Sequence, residues 1–126
     1  MFEKALNIRE NANAIYSKFK VGAVIKTKSG IYYSGCNVES SSYGLSICAE
    51  RVALFNALSE GEREFETILI LADLKGEKQN VCRPCGACRQ LLYDYARNIE
   101  VVMTNIEKDN CDIDILSNLL KNGFEI

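Results

Sequence analysis

The run Thr67-Ile68-Leu69-Ile70-Leu71-Ala72 carries no charge and no apolar–polar alternation. Such a run is expected of a strand covered on both faces, not of one with a face open to water. A sheet built around it needs helices on both sides. At 126 residues the chain has enough length for one such sheet and a few helices, a single domain over residues 1–126. The rest of the pattern agrees. Residues 3–14 read as an opening helix, with Ala5, Ile8, Ala12 and Ile15 spaced at three to four. Phe19, Val21, Ala23 and Ile25 alternate, Lys28-Ser29-Gly30 supplies a turn, and residues 31–38 return as the second strand of a hairpin. From Ile47 to about Leu58 a helix closed by Gly61 is apolar on more than one face (Val52, Leu54, Phe55, Leu58), which places it in the core. Residues 75–84 read as loop, 86–96 as a helix, 99–104 as a strand and 112–115 as a short edge strand. The expected class is α/β, a mixed sheet between helical layers.

The formal net charge is -2, so no bulk basic field attracts a nucleic acid. No N-terminal apolar segment resembles a signal peptide and no run approaches a membrane span, so a cytoplasmic location is expected, with no membrane partner. Thiols stay reduced there. Six cysteines are therefore better explained in part by metal ligation than by disulfides.

The chemistry concentrates in Cys48-Ala49-Glu50 and Pro84-Cys85-Gly86-Ala87-Cys88. Cysteines at i and i+3 in the first turn of a helix share one face and can share a zinc ion. Pro84, the one proline, suits a helix start. Cys48 also opens a helix, and two helix N-termini facing one metal help to hold thiolates. Three thiolates, Cys48, Cys85 and Cys88, leave the fourth tetrahedral position for water, the mark of a catalytic zinc. Glu50 has the reach to fold back over the first turn and move protons. The competing arrangement is a closed structural site in which Cys82 supplies a fourth thiolate, or an iron–sulfur spacing of C-x2-C-x2-C. Against it, Cys82 precedes Pro84 and belongs to extended chain. Cys36, Cys82 and Cys111 are expected to pack as small apolar side chains.

The segments YSKFKVGAVI, NVESSSYGLSICAERVALFNALSEG and RPCGACRQLL, with CAE and PCxxC inside them, make the chain similar to the small, three-cysteine zinc cytidine deaminases from about Ile8 to Phe124. The resemblance implies a three-layer α/β/α sandwich with a central mixed five-stranded sheet, one zinc per chain and a homotetramer. It implies hydrolytic deamination of cytidine and deoxycytidine to uridine and deoxyuridine, with release of ammonia, a step of pyrimidine salvage. It also implies that Asn37 and Glu39 bind the ribose, that Phe19 packs against the pyrimidine and that Ala49 touches substrate. Ser41, Tyr43 and Phe124 match positions that reach a neighbouring subunit's site. Arg51 matches an arginine that hydrogen-bonds the zinc thiolates. Such a role has a physical basis: three thiolates leave zinc with a formal charge of about -1, and a guanidinium on sulfur restores its acidity. The sequence departs from the family at Ile15-Tyr16-Ser17, Ser40-Ser41-Ser42 and LLKNGF, which bears on loop rigidity and subunit packing. The rivals are a blasticidin, nucleotide or nucleic-acid deaminase and a non-catalytic zinc module. The similar nucleotide and tRNA enzymes generally place histidine at Cys48, and this chain has none.

Overall fold

The computed structural model describes all residues from Met1 to Ile126. In chain order the elements are α1 (Phe2–Arg9), β1 (Val21–Thr27), β2 (Tyr32–Cys36), a single 3-10 turn (Tyr43–Leu45), α2 (Ala49–Ser59), β3 (Phe65–Ala72), α3 (Gly86–Tyr95), β4 (Glu100–Asn105), β5 (Cys111–Ile115) and α4 (Leu116–Leu119). The strands form one sheet in the order β2-β1-β3-β4-β5. Only β3 and β4 pair in parallel, with Thr67 opposite Glu100 and Ala72 opposite Asn105. The sheet is mixed and five-stranded, as expected.

The central run does serve both faces. Ile68, Ile70 and Ala72 join the larger core with Ala53, Leu54, Ala57 and Leu92 of α2 and α3. Leu69 and Leu71 face the other way, to Ala5 of α1. Helices on both sides of the sheet make three layers. None is long and apolar enough to cross a membrane.

Topology places the site. Because β1 is antiparallel to both β2 and β3, those two run in one direction, and β4 runs with them. The crossovers β2-α2-β3 and β3-α3-β4 step the same way across the sheet, so right-handed connections put α2 and α3 on one face. Both helices then start at the same end of the sheet, beyond the carboxyl ends of β2 and β3, where α/β folds gather their ligands.

Close approach depends on two glycines. A Cβ at Gly22 would lie 2.1 Å from the Ala5 carbonyl oxygen of α1, and one at Gly35 would lie 2.4 Å from Ala53 N and 2.6 Å from Ala49 O of α2. Gly35→Ala is expected to destabilise the protein by about 3 kcal/mol, since backbone cannot yield as a side chain can. It should also lower activity, because the clash falls on the turn that carries Cys48 and Glu50. Denaturant titration alongside a rate assay checks both effects.

Several expectations need correction. The opening helix ends at Arg9 rather than at residue 14. Asn13 instead pairs through its main chain with Asn37 O and Glu39 N, each at 3.0 Å. That long-range pairing outcompetes a helix extended through asparagines. Phe19 precedes β1, whose residues are buried almost throughout and do not alternate. The second strand stops at Cys36, and Val38 makes only isolated bridges to Asn13 and Ile47. Phe55 of α2 is 40% exposed: the buried stripe is Ala49, Ala53, Leu54 and Ala57, with Val52 and Leu58 partly covered. Cys111 is exposed, not packed, because β5 is an edge strand, whereas Cys82 is buried as expected. The helix α4, against α3 and β5, lay outside the expected elements.

Candidate active site

Cys48 and Cys85 are the N-cap residues of α2 and α3, both with extended backbone. Each stands beside a helix's unpaired N–H groups and positive end, which favours thiolate over thiol. Cys88 follows one turn into α3 and is fully buried. The Cys48 and Cys85 sulfurs are 3.7 Å apart, those of Cys85 and Cys88 are 3.5 Å apart, and all three lie within 4.8 Å of one another. Zinc at its usual sulfur distance would hold tetrahedral ligands about 3.8 Å apart. The donor set fits zinc. Cys82 does not join these three sulfurs, so the closed four-thiolate arrangement has no support in the geometry.

The charges within this cluster are coupled. The hydrogen bond from Cys88, with the Arg51 guanidinium behind it, pulls the Cys48 thiol down to about 5. The same bond to Cys48, together with burial, pushes Cys88 up. The cluster thus behaves as a thiolate sharing a neighbour's proton, and a bound cation takes that proton's place. Arg51 Nη2 lies 3.5 Å from Cys48 Sγ and 3.4 Å from the Ser46 carbonyl oxygen. Its Nε is buried with no protein partner.

Glu50, in the first turn of α2, is only 4% exposed. Burial, reinforced by the charge on Cys48, pushes its carboxyl up to about 7. It forms part of the wall of a cavity of about 280 Å³, together with Phe19, Asn37, Glu39, Cys48 and Cys85. That volume is at the small end of the range for ligand pockets. A cavity of that size takes a small molecule's ring.

The expected recognition pair grips the cavity's own rim. Asn37 Oδ1 accepts from Val21 N at 2.8 Å, and its Nδ2 donates to the Phe19 carbonyl at 2.8 Å. Glu39 accepts from Tyr16 N at 2.9 Å, from Ser17 N at 3.0 Å and from the Ser17 hydroxyl. Those bonds, the Ser17 hydroxyl first, hold its carboxyl below the ordinary value. Asn37 and Glu39 together fasten the segment that carries Phe19.

Four expected residues stay out of this cavity. Ala49 is fully buried behind it, Tyr43 and Phe124 are 76% and 71% exposed, and Ser41 lies on the exposed loop after β2. Tyr43 lines an adjoining hollow of about 400 Å³ with Tyr16, Ser17, Glu39 and Ser46. The sequence reading did not place Ser17, Val21, Ser46, Ile47, Cys82 or Arg83 in the lining. Arg83 could have been found from its place two residues before Cys85; its guanidinium is tied to Asp112 on β5 at 2.7 Å. Ser17 had no signal beyond its partnership with Glu39, a contact across more than twenty residues.

Residues 1–104 match the family model for the cytidine and deoxycytidylate deaminase zinc-binding region. The chain belongs to that family. Among its relatives, a cytidine deaminase of Halalkalibacterium halodurans is 40% identical over 125 residues, covering 98% of this chain and 91% of that protein. A crystal structure of cytidine deaminase from Burkholderia pseudomallei superposes with a TM-score of 0.90 at 42% identity, covering 98% of this chain and 95% of that one. A blasticidin-S deaminase of Bacillus cereus is 35% identical over 104 residues, 73% of this chain and 74% of that protein. The cysteine-lined deaminase site thus sits in the deaminase fold, and zinc is its metal.

Proposed function

We propose that this deaminase hydrolyses cytidine and deoxycytidine to uridine and deoxyuridine, releasing ammonia, as a step of pyrimidine salvage in the cytoplasm. One observation carries the reading. Three sulfurs spaced for one zinc stand at two helix starts beside a buried carboxyl, and two of them, Cys48 and Cys85, line a small cavity with it. The chemistry needs reduced thiols, which the cytoplasm supplies. Residues 1–126 act as one domain.

Held by Cys48, Cys85 and Cys88, zinc supplies the Lewis acidity that makes water a nucleophile near neutral pH. Everything else is the work of this chain's side chains. Glu50, its carboxyl pushed up by burial, takes a proton from the attacking water and gives it to the ring nitrogen, then carries the proton of the added hydroxyl to the departing amine. Phe19 packs on the ring. Ala49, fully buried with its main chain, backs the turn between Cys48 and Glu50. Glu39 retains lone pairs for a sugar hydroxyl, and Asn37 keeps a second N–H and a second lone pair. Ser41, Tyr43 and Phe124, exposed in one chain, reach the site of a neighbour in a homotetramer.

Arg51 moderates the ligand charge. Arg51→Ala is expected to lower kcat about tenfold while each chain still holds close to one zinc, because the guanidinium acts on sulfur and is not itself a ligand. Full activity with full zinc would remove that role.

The substrate reading is tested by an ultraviolet assay with cytidine, deoxycytidine, cytidine monophosphate and blasticidin S, each with and without a chelator. Cytidine and deoxycytidine should turn over, and chelation should stop them. The Bacillus cereus relative makes blasticidin the second candidate. Preference for blasticidin over cytidine would transfer the assignment to it, and faster turnover of the monophosphate would contradict a cavity whose one cation, Arg83, is already paired.

A further inference from the structure

The last residues of a domain fray unless something holds them. Here the segment around Phe124 is held at several points, along α3 and just beyond its end. Gln90 Nε2 donates to the Phe124 carbonyl at 3.0 Å, and Phe124 N donates back to Gln90 Oε1 at 3.1 Å. One side-chain amide therefore pairs with both main-chain groups of one residue, as a neighbouring strand would. The Tyr93 hydroxyl donates to Glu125 at 2.8 Å. Arg97 meets the same carboxylate at 2.7 Å and lies over the Tyr93 ring at 4.2 Å from its centroid. Gly123 rests on the face of Tyr93, where a Cβ would come within 2.8 Å of the ring. Ordering a residue costs conformational entropy that some contact must offset. All this restraint surrounds a phenyl ring that is itself 71% exposed and so gains nothing from burial within its own chain.

We propose that Gln90 is a positioning residue for the reaction: with Tyr93 and Gly123 it fixes the Phe124 main chain, so that the exposed ring is presented rigidly to the cavity of a second copy of this chain. The proposal rests on the reading that Phe124 completes a neighbour's site. Beside the cavity mouth an aromatic hollow stays open to a second copy: Tyr16 and Tyr43 stand edge to face at 6.0 Å, 46% and 76% exposed. The pairs Gln90–Phe124 and Arg89–Leu119 also tie the same helix that begins at Cys85 to the tail, since Arg89 donates to the Pro84 and Leu119 carbonyls at 2.8 Å each. The presented ring and the metal ligand therefore share one rigid support.

The test is a double-mutant cycle on the zinc-loaded assembly, with KM and kcat for cytidine read separately. Gln90→Met keeps the length of the side chain and removes both hydrogen bonds. It is expected to raise KM about 3- to 10-fold, the range an aromatic contact supports, with a smaller fall in kcat. Phe124→Ala should do the same, and the double variant should be no worse than Phe124→Ala alone. Effects that multiply in the double variant would overturn the role of Gln90 while leaving that of Phe124 intact. An unchanged KM in Phe124→Ala would overturn the underlying reading and the proposal with it. The chain has no tryptophan, so Phe124→Trp introduces a single reporter. Adding Gln90→Met to it should lower the anisotropy and red-shift the emission, and an unchanged spectrum would count against the clamp. Should Gln90→Met fail to assemble, Gln90→Glu sets a carboxylate against the Phe124 carbonyl and is expected to give the same non-additive pattern.

Discussion

Glu50→Gln is expected to reduce kcat for cytidine by about 10^4-fold, the upper range for removing one proton-transfer group. The substitution preserves shape and polarity. It leaves Cys48, Cys85 and Cys88 untouched, so zinc should still load at one per chain. The prediction is sharp because no substitute is at hand: Glu39, the other carboxylate of the cavity, is occupied with Tyr16 and Ser17 on the rim. A kcat within tenfold of the parent, with zinc bound, would exclude Glu50 from proton transfer. Stability should move the other way. The folded carboxyl lies near 7 against an ordinary 4.5, so the metal-free protein is favoured by protonation and loses stability as pH rises through about 7. Metal-free Glu50→Gln, which has no such group, should exceed the parent in stability at pH 8, and the difference should vanish below pH of about 4.5. Denaturant midpoints at the two pH values measure this.

What could be read from the sequence was set by local rules. Thr67–Ala72 forms a doubly covered strand because five of its six residues are apolar with no break, and the metal ligands emerge from i, i+3 spacing at a helix start. The parts that were misread depend on distant neighbours. Residues 10–14 carry enough helix pattern to be taken for helix, yet Asn13 gains more from Asn37 and Glu39 than from another helical turn. Phe55 looks like a core residue because aromatics usually are, yet the narrow buried stripe of Ala49, Ala53, Leu54 and Ala57 leaves it on the surface. Periodicity carries no information on which face meets a second chain, so Tyr43 and Phe124 could be nominated only by resemblance. Asn37 and Glu39 too were nominated as ribose-binding groups by resemblance, and nothing local marked them as the pair that holds the loop of Phe19, a contact visible only once the chain is folded.

Cys88→Ala should have the other large effect: zinc falls well below one per chain, turnover is lost and the thermal midpoint drops. Cys88 is the fully buried member of the three and lies where α2 meets α3. A cation there ties two helices from different crossovers, so binding free energy becomes folding free energy. Removing one of three thiolates should weaken zinc by several orders of magnitude, and Cys48 loses the hydrogen bond from Cys88 that favours its thiolate. The fold should nonetheless survive at low temperature, because the larger core under Ile68, Ile70 and Val101 does not depend on the metal. Cys82→Ala is the decisive contrast. Its sulfur lies outside the group of three that could share one ion and instead lines the cavity, buried, which suits a wall group and not a ligand. Zinc content in Cys82→Ala should therefore match the parent. Loss of metal from that variant, or its retention in Cys88→Ala, would mean that the sulfurs at the two helix starts are not the ones that hold it.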